Sequence, residues 1–492
     1  MNIVRIGAGS NNRHTADLVG AKAANLAHMA SLGLPVPPAF VLPISLCAGV
    51  VQGDAAARRS LTDGLREGID FLETATGRVF GDRRNPLLVS VRSGAARSMP
   101  GMLDTVLDVG CTPAAVHGLV RLSGHPRFAW DCRRRFLESY GEVVLDIDKA
   151  LFAEARAAVL SSDSASNEET ADSATIEQLA VRYRQLIEDE GELVPDNGFE
   201  QLEEAASAVY RSWMSPRAVT YRKLQQLDGL QGTAVTVQAM VFGNGGGLSG
   251  AGVAFSRDPS TGAHDPVIDV LFEAQGEDVV SGSRTPQTES AIEQALPAVA
   301  AQLRDTLRKL EREFADVQDV EFTIEDGCLW ILQTRAAKRT PLAALRIAID
   351  LVHEKLIVPS EALKRLDGID LAEFVHKRLV DCGKPAARAI GAAAGVAVGR
   401  AAFDSASAEG LATRGDPVIL MRPDTSTADV KGFAVAAGIV TAVGGRTAHA
   451  ALVARQLGKP CVVGCAGLRV NVTSRSADLD EQPLKEGDWL TI

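Results

Sequence analysis

Residues 438–464 read GIVTAVGGRTAHAALVARQLGKPCVVG, and their pattern decides the fold class of the last part of the chain. Gly438–Val443 has strand composition and ends at the pair Gly444-Gly445. Helix formers run from His449 to Leu457, and Gly458 stops them. A second apolar run follows. Strand, glycine turn, helix, strand is an α/β arrangement. Thr447 or Ala448 stands near the N-cap, Thr447 being the better capping residue, so His449 falls in the first helical turn. Unpaired N–H groups and partial positive charge at a helix start stabilise an anion. A phosphoryl group on the His449 ring would be such an anion, and the two glycines let the backbone approach it. Unprotonated imidazole is also a nucleophile near neutral pH. A single histidine so placed is more often structural, so the case depends on what surrounds it.

Around this segment, DPVILMR, PCVVGC and DWLTI supply further short β runs with one clear helix among them. Upstream lies GKPAARAIGAAAGVAVG (383–399), small and rich in Gly, Ala and Pro. That composition suits a hinge, expected near Lys384–Gly395. Residues 341–381 read as amphipathic helix.

The stretch DVEFTIEDGCLWILQTR (319–335) reads as a β-hairpin. Alternation puts Asp319, Glu321, Thr323 and Glu325 on one face of its first strand. A two-residue Asp326-Gly327 turn would set Glu321 opposite Leu332 and leave Gln333 on the far face. A three-residue loop, Glu325 to Gly327 with Gly327 left-handed in a bulge, is the expectation. It sets Asp319 opposite Gln333, gathering acidic and amide oxygens on one side with Arg335 at the end. Such hard oxygen ligands suit Mg²⁺ carrying phosphates. The run GNGGGLSGAG (243–252) reads equally as a phosphate cradle or a flexible tip.

Towards the N-terminus, GAKAANLAHMASLG (20–33) is an Ala-rich helix closed by Gly33, and LPVPPAFVL (34–42) and PLLVSVR (86–92) lead into strands. Residues 112–230 read as helical, with a polar surface loop SSDSASNEETADS at 161–173. β character returns at 232–258. A chain of 492 residues implies several domains, and a net charge of −11 argues against a general nucleic-acid partner. The seven cysteines form no paired CxxC array, Met1–Arg5 opens no signal peptide, and no apolar run approaches the roughly 20 residues that span a bilayer. The expectation is a cytoplasmic, reduced protein with no membrane partner.

GGRTAHAALVARQLGKPCVVG resembles the mobile phosphohistidine domain shared by pyruvate phosphate dikinase, phosphoenolpyruvate synthase and enzyme I of the sugar phosphotransferase system. Ala448 stands where these families commonly carry Ser or Cys, and Arg446 where Met is common. GAKAANLAHMASLGLPVPP, PLLVSVRSGAARSMPGMLDTVLDVG, GTAVTVQAMVFGN, SGAGVAFSRDPSTG and DVEFTIEDGCLWILQTRAAKRT are similar to the N-terminal nucleotide-binding domain of the dikinase family, with Leu103 in place of a usual Met. The resemblance runs from residue 1 to 492.

It implies a multidomain α/β protein. An ATP-grasp nucleotide-binding domain would occupy 1–340 with a helical insertion at about 112–230. A helical connector would follow at 341–387, then a swivelling phosphohistidine domain at 388–492. It implies that Lys22 and Arg92 hold the triphosphate, that Asp319 and Arg335 line the transfer site, and that Glu321 and Gln333 bind Mg²⁺. Gly101, Gln238 and Met240 would flank the adenosine, and Gly250 and Gly252 would belong to a lid over the phosphates. His449 would take the β-phosphoryl of ATP, with AMP and pyrophosphate as products and inorganic phosphate as co-substrate. The sequence stops where the phosphohistidine domain would finish, so the family's (β/α)₈ barrel for phosphoenolpyruvate or pyruvate is expected to be missing. Three readings follow. In the first, a separate acceptor protein or subunit completes the reaction. In the second, a small-molecule acceptor binds between the two domains. In the third, the protein senses nucleotide without turnover.

Overall fold

The apolar runs form strands, and capping residues mark where helices begin. The structure, a computed structural model, describes residues 3–10, 12–97, 99, 102–162, 171–281, 284–369, 379–380, 383–424, 429–446, 448–480 and 482–492. Gly101, Thr447, Cys382 and most of the polar stretch at 161–173 lie outside the described residues. The chain divides into two compact units, Met1–Val241 with Trp330–Gln333, and Phe242–Leu329 with Thr334–Ile492.

In the first unit, β1 (Val4–Ile6), β2 (Ala39–Leu42), β3 (Val89–Ala95), β4 (Thr105–Val109) and β5 (Thr233–Ala239) form an antiparallel sheet in the order β1-β2-β5-β3-β4. Every residue of β2 and β5 is buried, so both faces of the sheet centre are covered. Helix α1 (Ala16–Ser31) starts before the expected Gly20, which is a kink inside it at φ 80° and ψ 156°. A Cβ at Gly20 would collide with the Gly94 carbonyl of β3, and the positive φ also favours glycine. Helix α2 (Ala55–Thr76) follows. The helical region expected from residue 112 contains α3 (Pro113–Ser123), α4 (Pro126–Val143), α5 (Lys149–Ser162), α6 (Ser173–Asp189), α7 (Gly198–Arg211) and α8 (Pro216–Leu224). Thr112, Asp172, Asn197 and Ser215 cap four of these by accepting from backbone N–H groups.

In the second unit, β6 (Gly250–Phe255), β7 (Val267–Phe272), β8 (Gln287–Thr288), β9 (Gln318–Glu325) and β10 (Cys328–Ala336) form a sheet in the order β8-β7-β6-β9-β10. Trp330–Gln333 of β10 count with the first unit, where the Ile331 N–H donates to the Pro35 carbonyl at 2.7 Å. The connector contains α10 (Pro341–His353) and α11 (Pro359–Arg365), after α9 (Pro297–Phe314). Arg257, 2% exposed, donates to Glu311 of α9 at 2.7 Å and to Glu354, just past α10, at 2.8 Å. That network fastens the connector to the sheet.

The rest of the second unit runs β11 (Ile390–Ala393), β12 (Val398–Ala402), α12 (Ser405–Thr413), β13 (Val418–Arg422), α13 (Val430–Val435), β14 (Gly438–Thr441), α14 (His449–Gln456) and β15 (Cys461–Val463). It ends with β16 (Leu468–Asn471), β17 (Ser476–Leu479), β18 (Gln482–Lys485) and β19 (Trp489–Thr491). The main sheet has the order β11-β15-β14-β13-β12-β19 with β15, β14, β13 and β12 parallel. Val418 and Leu420 of β13 pack with Phe433, Ala450, Ala451 and Ala454 on one face. Ile419 and Met421, pointing the other way, pack with Leu468 and Ala477 of the β16-β17-β18 sheet.

Two expectations need correction here. The hinge expected over Lys384–Gly395 cannot extend past Ala389, because Ile390, Gly391 and Ala393 pair with Val463, Val462 and Cys461 of β15. Residues 383–389 stay outside regular structure and are largely exposed. The last hundred residues also hold more than one helix. SASAEGLAT has weak helix propensity, yet Asp404 caps it by accepting from the Ser407 N–H at 2.6 Å. No helix among the described residues is long and apolar enough to cross a membrane.

Candidate active site

His449 is the first residue of α14, with Ala448 at the N-cap. Ala448 has no side-chain oxygen, so no N-cap side chain occupies the first N–H groups of the helix. Those donors are the feature an anion on the ring would use. The ring of Phe433 stands edge-on to the imidazole at 6.2 Å between centroids. His449 Nε2 is buried with no hydrogen-bond partner. Burial pushes the imidazole pKa below its ordinary value, against the opposing charges of Asp429 and Asp424. The ring is therefore neutral at neutral pH, and its Nε2 is committed to no hydrogen bond.

The hairpin gathers the second group. Arg335 Nε donates to Asp319 Oδ2 at 2.8 Å, and its Nη2 stands 3.9 Å from Glu321 Oε1. Burial raises the Asp319 pKa, and the charge and hydrogen bond of Arg335 act against that rise. Burial works to lower the Arg335 pKa, but the carboxylates of Asp319 and Glu321 outweigh it and the net direction is up. Asp319 Oδ1 is buried without a partner.

The turn itself differs from expectation. β9 ends on Glu325 and β10 starts on Cys328, so the loop has two residues, not three. Asp326 and Gly327 both have positive φ, 49° and 75°, the pair preferred by a tight hairpin of this twist. An unbroken two-residue register would pair Asp319 with Thr334. Instead Thr334 Oγ1 donates to Gln318 and Arg335 donates to Asp319. One extra residue on β10 therefore shifts the register between the turn and Thr334. In-out alternation fails at Leu332–Gln333, both half-buried, which is where such a shift shows. This shift runs the opposite way from the one expected at the loop: it sets Asp319 opposite Arg335 instead of Gln333.

Gly250 and Gly252, expected in a lid, are strand residues of β6, paired with β7 and β9. A Cβ on Gly252 would run into the Phe322 ring. The loop before β6 is braced. The Phe242 N–H donates to Glu325 Oε1 at 3.3 Å, Asp326 N–H to Ser249 Oγ at 3.1 Å and Gly327 N–H to the Leu248 carbonyl at 3.2 Å.

In the first unit, the close approach of Gly20 to Gly94 sets the α1 turn carrying Lys22 beside the strand carrying Arg92. Lys22 is exposed and Arg92 half-buried. Gln238 is buried in β5 and its amide donates to the Pro37 carbonyl at 3.2 Å; Met240 is buried just beyond it. Gln333 is half-buried on β10.

The donor set fits a magnesium ion that arrives with its phosphates. Among the described residues no three His, Cys, Asp or Glu side chains converge on a metal position. Mg²⁺ bound by one or two carboxylates and substrate phosphates needs no such cage. Asp319 Oδ1 is an acceptor still open beside Glu321. Sequence reasoning missed Phe433 and the buried Arg455; the latter is signalled only as a lone charge in the small-residue helix AALVAR.

Two family models match the chain, one after the other. Residues 53–302 and 288–355 match the family model "Pyruvate phosphate dikinase, AMP/ATP-binding domain", and residues 415–492 match "PEP-utilising enzyme, mobile domain". The chain is 40% identical over 487 residues to pyruvate, phosphate dikinase of Clostridium symbiosum, covering 98% of this chain and 56% of that protein. It is 43% identical over 501 residues to the enzyme of Rhizobium meliloti (97% and 55%), and 42% over 491 residues to the chloroplastic enzyme of Flaveria trinervia (99% and 51%). The chain thus spans about half the length of the curated relatives it matches. With both family models matched in the order that the motifs occur, the chain belongs to the pyruvate phosphate dikinase family.

Proposed function

We propose that the protein is an ATP-dependent phosphotransferase that places the β-phosphoryl group of ATP on His449. The observation that carries the reading is the state of His449: neutral, at an uncapped helix start, its Nε2 buried and unpartnered. A nucleotide-sensing protein without turnover has no use for such a nitrogen. In this reading residues 1–340 bind nucleotide and 388–492 carry the histidine. Lys22 and Arg92 hold the triphosphate, with Gly101, Gln238 and Met240 beside the adenosine. Arg335 offsets charge on the phosphoryl group in flight, and Asp319 fixes the direction of the guanidinium. Phosphoryl transfer depends mainly on such positioning and charge neutralisation. Mg²⁺, held by Glu321 and Gln333, supplies the remaining charge.

Nε2 forms the N–P bond as the bridge between the α- and β-phosphorus breaks and AMP leaves. The γ-phosphoryl passes to inorganic phosphate, giving pyrophosphate. A separate acceptor protein or subunit then takes the group from His449 in the cytoplasm.

The test is incubation with Mg²⁺ and ATP labelled at the β-phosphate, with and without phosphate. Acid-labile label on the protein, AMP rather than ADP in solution, and no label on His449→Ala are expected. ATP binding with no label on the wild type would leave the sensor as the better description.

A further inference from the structure

Arg455 is 1% exposed, and no role described above uses it. Its Nη2 donates to the Arg446 carbonyl in the loop that enters α14. Its Nε donates to the Ala451 carbonyl at 3.1 Å. The guanidinium carbon lies 5.0 Å from the ring centre of Phe255, at the end of β6. Leu452, on the same helix, packs with Phe255, Ala343 and Ile347. At 3.6 residues per turn, His449, Leu452 and Arg455 fall within one sector of about 120°. His449 stands at one edge of that sector, and Leu452 and Arg455 seat the rest of it on β6 and α10.

A buried guanidinium is costly unless opposite charge lies near. Burial lowers the Arg455 pKa to about 10, and Asp319 leads the carboxylates that act against the fall, with Asp269 and Asp258. The group stays charged at neutral pH. Arg455 Nη1 has no hydrogen-bond partner, and neither has Asp319 Oδ1. Asp319 is the carboxylate that Arg335 holds. One guanidinium thus grips the loop leading into the His449 helix and acts electrostatically on the proposed transfer cluster.

We propose that Arg455 is a positioning residue, seating the His449 helix on Phe255 and β6 so that the imidazole is presented to the Asp319–Arg335 cluster. The proposal rests on the reading that ATP loads His449. The Arg446 carbonyl bond sets the angle at which the chain enters α14, and the Phe255 stack sets where the helix rests. Loss of the guanidinium leaves the nucleophile intact and its delivery impaired.

Two phosphoryl donors separate these effects. The full chain, as wild type, Arg455→Met and Arg455→Lys, is given Mg²⁺ with β-labelled ATP, or labelled phosphoramidate. Phosphoramidate breaks its own P–N bond, releases ammonia and forms the N–P bond on imidazole with no nucleotide site. Arg455→Met is expected to load from saturating ATP at least about tenfold more slowly with unchanged KM for ATP, while phosphoramidate labelling stays within about twofold of wild type. Arg455→Lys recovers part of the ATP rate. Equal loading of wild type and Arg455→Met from ATP overturns the proposal. Equal slowing toward both donors also overturns it, because that marks a merely structural role. A wild type labelled by phosphoramidate but never by ATP overturns the ATP-loading reading itself. If Arg455→Met does not fold, Phe255→Leu removes the ring under the guanidinium. The same split between donors is then expected, and wild-type loading from ATP overturns the proposal.

Discussion

Arg335 holds Asp319 at 2.8 Å from one end of an exposure gradient: its own side chain is 37% exposed, while that of Asp319 is 1% exposed. The carboxylate is a buried anchor, and the arginine side chain is the more exposed partner. Asp319→Asn removes the charge that aims Arg335. His449 loading from ATP is expected to fall by about 10² to 10³, the size seen when one charge-stabilising donor is lost. Nucleotide binding, followed by fluorescence titration, should change little. Loading at the wild-type rate would remove Asp319 from the transfer site.

Burial holds the His449 pKa below its ordinary value of 6.5. The neutral ring is the nucleophile, so the loading rate should hold as pH falls to 6.5 and drop only below it. Stability follows the same sign. In the unfolded chain the ring takes its proton first, so the folded state loses stability as pH falls below the unfolded value. The loss is complete below the folded value, and His449→Gln removes it. A pH–rate profile and denaturant titrations over the same range check both; a loading midpoint above the ordinary value contradicts the burial argument.

A Cβ at Gly252 would meet both the Phe322 ring and the Asp269 carbonyl of β7. Gly252→Ala introduces a methyl group that neither neighbour can yield to without moving the sheet. Overpacking of this kind costs about 1–3 kcal/mol. The midpoint of denaturant unfolding should fall accordingly; an unchanged midpoint would show that β6 relaxes freely.

Arg257 joins β6, α9 and the connector through Glu311 and Glu354. Arg257→Met takes the guanidinium from Glu311 and leaves it only the Ser256 hydroxyl. Removing one member of a buried pair costs about 3–5 kcal/mol, and the partial exposure of Glu354 favours the lower end. Calorimetry on the two proteins measures it. A loss under about 1 kcal/mol would show that water replaces the arginine.

The histidine helix was legible because local chemistry brackets it, two glycines before and Gly458 at φ 64° after; its N-cap, Ala448, was not, since alanine has no side-chain oxygen to mark a start. The alternation of β9 was legible for the same reason. The shift within β10 was not, since it depends on contacts at the middle of the strand, where Ile331 bonds Pro35. The far end of the expected hinge was misread because GAAA has linker composition, while pairing with β15 depends on a partner distant in the chain (Ile390 with Val463). Arg455 was hidden because an arginine on a short helix reads as a surface charge. Its burial follows from what the helix rests on.

The bonds between the hairpin tip and the glycine loop give the protein a built-in gauge. Asp326 and Gly327 amide protons are shielded only while Ser249 and Leu248 accept from them. Any ligand that lifts the loop releases both at once, and they then trade their hydrogen for solvent deuterium. The seating of the loop can thus be read at two adjacent amides, with no label attached and no residue of the proposed chemistry altered.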